Sequence, residues 1–82
     1  MGQNEYVFKL IWQNKLSGNI SETEFSTYCD DRQIAHERAF EEAMKIHKNM
    51  CMKDKNFSNK WYYAGIELIT VIPNYWKGAY DA

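Results

Sequence analysis

Apolar and polar residues alternate from Tyr6 to Gln13. Tyr6, Phe8, Leu10 and Trp12 fall on one side, and Val7, Lys9, Ile11 and Gln13 on the other. A period of two is the mark of a β-strand, so a strand is expected over about 6–13. Asn14-Lys-Leu-Ser-Gly-Asn19 follows, with Gly18 or Asn19 suited to positive φ, and reads as the loop of a hairpin. A second, more polar strand is expected over about 20–29. Thr23, Phe25, Thr27 and Cys29 alternate there with Glu22, Glu24 and Ser26, a composition that suits a sheet edge.

The period then changes from two to 3.6. Between Asp31 and Lys53, Ala35, His36, Ala39, Phe40, Ala43, Met44, Ile46, His47, Met50 and Cys51 gather on half of a helical wheel. Glu37, Arg38, Glu41, Glu42, Lys45, Lys48 and Asn49 fill the other half. Asp30 or Asp31 is placed to cap the first turn, and the lysines at the far end suit the helix dipole. A helix over about 31–53 is predicted, with Asp54–Asn59 as a polar loop.

The segment from Lys60 to Pro73 is the most apolar. Tyr62, Ala64, Ile66, Leu68, Thr70 and Ile72 alternate with Trp61, Tyr63, Gly65, Glu67, Ile69 and Val71. A strand over about 60–72 exceeds the usual length, so a bulge or bend is expected near Gly65. Pro73 ends it, and the tail over 73–82 carries Tyr75, Trp76 and Tyr80 without a period of its own.

The order strand, strand, helix, strand predicts an α+β fold of two layers: a three-stranded, mostly antiparallel sheet against one long helix. Spatial order 2-1-3 is preferred, because it joins the two apolar strands and leaves the polar one at an edge. A right-handed crossover placing the last strand parallel to the second is the other topology. One helix covers one sheet face, yet both faces of the first and last strands are apolar. If Val7, Ile11, Phe25, Ile66 and Leu68 meet the helix, then Tyr6, Phe8, Trp12, Trp61, Tyr63, Ile69 and Val71 face away. The opposite phase leaves a smaller apolar remainder. A patch of this kind calls for a cover: the tail, a second copy, another protein or nucleic-acid bases.

Composition narrows the classes. Eighty-two residues make one small domain, and an apolar share of 45% argues against disorder. The formal charge of −1 gives no overall attraction to nucleic acid or anionic lipid. Charge is nonetheless uneven along the chain, acidic from Glu22 to Glu42 and basic from Lys45 to Lys60. The N-terminal residues lack a signal-peptide pattern, and no apolar run is long enough to span a bilayer, so a cytoplasmic location is expected. Cys29 and Cys51 are far apart in sequence and read as free thiols.

Candidate chemistry is sparse. His47 and Cys51 lie four apart on the helix, but neither an orienting carboxylate nor a glycine-rich oxyanion loop accompanies them. His36 and His47 are eleven residues apart, about 16 Å along a helix, too far to share one metal ion. The phosphate-loop, dinucleotide, zinc-protease and nucleophile-elbow motifs are all absent. No enzyme, cofactor or metal is therefore expected.

The expected role is a small non-enzymatic module that binds another protein. Tyr6, Phe8, Trp12, Trp61, Tyr63, Tyr75 and Trp76 are the candidate contact residues. Chains of this kind suit inhibitors and adaptors, including the defence-blocking proteins of bacteriophages. Two alternatives stand beside that reading. One is binding of RNA or single-stranded nucleic acid on an aromatic sheet face, without the aromatic–glycine motif of sheet-platform RNA binders. The other is a homodimer formed through the sheet.

Overall fold

A computed structural model describes residues 3–73. Its elements are β1 (Asn4–Asn14), β2 (Ile20–Cys29), α1 (Arg32–Lys53), α2 (Phe57–Lys60) and β3 (Trp61–Ile72). The sheet is antiparallel throughout, in the order β2-β1-β3. The fold is α+β, with the polar strand at one edge and the apolar β3 at the other.

Local chemistry sets the joints. In the hairpin, Asn14 Oδ1 accepts from the amides of Leu16 and Ser17, and Gly18, at φ +76°, donates its amide to the Asn14 carbonyl. That φ is costly for residues with a Cβ, which is why glycine stands there. Asp31 caps α1 by accepting from the Gln33 amide at 2.8 Å. Arg38 ties α1 to the β2 edge, donating to the Tyr28 carbonyl at 2.8 Å and to Thr27 Oγ1 at 3.2 Å.

Segment 54–60 departs from the polar loop expected there. Asp54 Oδ1 and its carbonyl accept from the amides of Asn56 and Phe57, starting the single turn of α2. Phe57 is buried in the core with its ring edge-on to His47. Four residues are too few to show a period, and one apolar residue among polar neighbours carries no pattern.

The sheet settles its phase through two irregularities in β3. Ile11 pairs with Gly65 and Trp12 with Tyr63, so Ala64 stands unopposed; Val7 pairs with Thr70 and Phe8 with Leu68, so Ile69 does too. Each bulge reverses which face the following residues point to. Trp61 and Tyr63, then Ile66 and Leu68, then Val71 thus line one side together, all packed against the core. Simple alternation would have divided them between the two faces. The bulge expected near Gly65 is present, and the second lies five residues further on.

The core is therefore Tyr6, Phe8, Leu10 and Trp12 of β1, Cys29 of β2, Phe57, and Ala35, Ala39 and Ala43 of α1. The alanines sit at four-residue spacing with no exposure, bringing the helix backbone close to the sheet. Phe8 and Leu10 are the largest fully buried side chains, each contributing about 1.5–3 kcal/mol by leaving water. Among the described residues no helix is long and apolar enough to cross a membrane.

Candidate functional site

The three alanines place α1 close to β1 and β2, while side chains of β3 that point the same way are only partly covered. Tyr63, Ile66, Leu68 and Val71 are half-buried although they face the helix layer. A groove consequently opens between α1 and the start of β3. Its volume is about 410 Å³, and Phe40, Met44 and His47 form one wall, with Trp61, Tyr62 and Tyr63 opposite.

Helical spacing builds the first wall, because positions 40, 44 and 47 stack on adjacent turns. Phe40 and Met44 remain 45% and 37% exposed, high values for large apolar side chains beside a core. The Phe40 ring meets the Tyr63 ring at 5.9 Å and 77°, and Tyr63 meets Trp12 at 6.1 Å and 70°, both edge-to-face. Burial in this aromatic cluster pushes the Tyr63 phenol above its ordinary value of 10.0, because the phenolate would lose hydration.

Polar contacts hold the rim. Lys15 Nζ donates to the Ser58 carbonyl at 2.7 Å, and the Lys15 amide donates to the Lys60 carbonyl at 2.7 Å. The hairpin turn is thereby fastened to the entry of β3. On the other side of the sheet, Tyr62 Oη donates to Gln13 Oε1 on the neighbouring strand. His47, which lines the groove, accepts at Nδ1 from the indole N–H of buried Trp12.

The sequence-predicted contact residues separate into three groups. Tyr6, Phe8 and Trp12 are buried between sheet and helix, and present no open aromatic face. Trp61 and Tyr63 are half-buried and line the groove. Tyr75 and Trp76, with the rest of the tail, lie outside the described residues. In the sequence Phe40 and Met44 belong only to the apolar half of the helical wheel. Their exposure follows from where the helix sits over the sheet, which no periodicity encodes.

His47 and Cys51 have separate partners. His47 Nδ1 accepts from Trp12, whereas Cys51 Sγ lies 3.0 Å from Ser58 Oγ. Cys29 is also a free thiol, donating to the Asp31 carbonyl at 3.2 Å. No group of three metal-ligating side chains occurs among the described residues. Compared with protein-family models, with curated proteins and with solved structures, the chain matches none.

Proposed function

We propose that this chain is a non-enzymatic protein-binding module, and that the groove between α1 and β3 is its contact surface. One observation carries the reading: Phe40 and Met44 stay exposed beside half-buried Trp61 and Tyr63. Aromatic rings and a flexible thioether around a concave apolar floor are the side chains on which protein interfaces concentrate their binding energy. A groove of about 410 Å³ takes one or two apolar side chains of a partner, not a whole domain. The nucleic-acid alternative gains no support, since the β1 rings available for stacking are covered by α1.

The test is selection from a random peptide library on the full chain, with the Met44→Asp variant as counter-selection. The reading expects enriched peptides that carry apolar anchors and lose about tenfold affinity on Phe40→Ala, about 1.4 kcal/mol. Peptides that bind Phe40→Ala and Met44→Asp as well as the unaltered chain would overturn it.

A further inference from the structure

β3 is the last strand of the sheet, and its outer edge meets no other strand among the described residues. The hairpin tells which backbone groups point there. Asn14 donates its amide to the Asn19 carbonyl and accepts at its own carbonyl from Gly18, both on the β2 side. Such directions alternate along an antiparallel strand, so the amide and carbonyl of Trp12 also turn towards β2. Tyr63, opposite Trp12, therefore directs its own N–H and C=O away from β1, to the outer edge. The Lys60 carbonyl faces inward to accept from the Lys15 amide, which gives Tyr63 the same phase three residues on.

The ring and the backbone of Tyr63 thus serve one place. The ring lines the groove, edge-on to Phe40, and the outward amide and carbonyl lie along the same side of the strand. Tyr62 alternates to the open face, the one turned away from α1, and leaves the groove side clear. This edge carries little of the charge that usually discourages pairing, since Glu67 is the only charged residue of β3. The β2 edge differs. Its Tyr28 carbonyl is taken by Arg38, and Glu22 and Glu24 stand along it.

We propose that the partner segment held by the groove is an extended peptide strand, added antiparallel to the outer edge of β3 at Tyr63. This deepens the reading of the groove as a contact surface and rests on it. The peptide residue opposite Tyr63 exchanges both backbone hydrogen bonds with it and carries its side chain on the same sheet face. That side chain enters the groove beside Phe40 and Met44. The partner's chemistry follows: apolar residues at every second position, with their amides free to donate towards β3. A helix keeps its backbone hydrogen bonds internal, so it leaves the Tyr63 groups unmet. A second copy would bring its own bulge at Ala64 into the pairing, an interruption that a short peptide lacks.

The experiment titrates the isotope-labelled full chain with an acetylated, amidated seven-residue peptide in which leucine alternates with threonine. Two further forms carry N-methyl groups, either on two leucine amides, which face β3 in the proposed pairing, or on two threonine amides, which face solvent. The expected result is amide shifts centred on residues 61–63 and 40–47. Affinity should fall about tenfold or more on methylating leucine and less than about threefold on methylating threonine. Phe40→Ala should weaken binding as well. Equal effects of the two methylations, or the reverse order, would overturn strand addition, while a persisting loss on Phe40→Ala would leave the groove reading in place. No binding by the unmethylated peptide would overturn it too, and the groove would still answer to its own peptide selection. A dimeric free chain with the Tyr63 amide already protected from hydrogen exchange would overturn it in favour of a second copy.

Discussion

Trp12 and His47 are joined by a hydrogen bond of 3.3 Å between the indole Nε1–H and imidazole Nδ1. The two residues are 35 apart in sequence, and the bond ties the central strand to the last turns of α1. An indole nitrogen only donates, so Nδ1 accepts and the ring proton sits on Nε2. Trp12 is 4% exposed, so water is a poor substitute for that acceptor.

Replacing His47 with leucine should therefore strand the indole N–H. The expected cost is about 1–3 kcal/mol, read from urea unfolding. His47→Gln, which keeps an acceptor, should lose less than His47→Leu. Equal losses would mean that packing against Phe57, rather than the hydrogen bond, is what His47 provides.

Ala39 has no exposed surface where α1 crosses the sheet. Ala39→Leu should push the helix outward and cost about 1–3 kcal/mol by overpacking. Glu41→Leu, the same side chain introduced on the exposed side, should stay within about 0.5 kcal/mol. Thermal unfolding of both variants checks the contrast, since about 1 kcal/mol moves the midpoint by roughly 4–8 °C in a domain this small.

Tyr63 gives the protein an alkaline sensitivity. Its phenol is held above 10.0 by burial, so the folded state keeps the proton that the unfolded chain gives up. The stability this supplies is complete below 10.0 and is lost as pH rises from there through the raised folded value. Tyr63→Phe should flatten the part of the decline due to this group. Urea midpoints measured across that range for the two proteins provide the check.

Ala64 has no side-chain role but sets the phase of β3. Deleting it should turn Trp61 and Tyr63 to the open face and remove their half-burial, costing roughly 2–4 kcal/mol. Ile69→Lys keeps the second bulge and changes only an exposed side chain, so it should be nearly neutral. Denaturant unfolding of both variants, with indole emission as the probe, distinguishes the two outcomes.

Much of the architecture was legible because it depends on period and composition. Alternation over Tyr6–Gln13, the wheel of Ala35, Ala39 and Ala43, and the carboxylates of β2 led to three strands, one helix and the order β2-β1-β3. The observed bounds agree closely: β2 spans Ile20–Cys29 and α1 spans Arg32–Lys53. The candidate site was far less legible. Residue type marks Trp61 and Tyr63, which line the groove, but it marks Tyr6, Phe8 and Trp12 equally, and these are buried.

The sequence by itself determined which segments become strands and helix, because backbone periodicity is a local property written in neighbouring residues. Only the tertiary structure decided which sheet face is covered. Both phases of β3 were apolar to a local reading, and two unopposed residues, Ala64 and Ile69, reversed the parity that alternation implies. It also decided that α1 lies near β1 and β2, leaving Phe40 and Met44 open beside Tyr63. Bulges and helix placement minimise free energy over the whole packed assembly, so no single stretch of residues carries their signal.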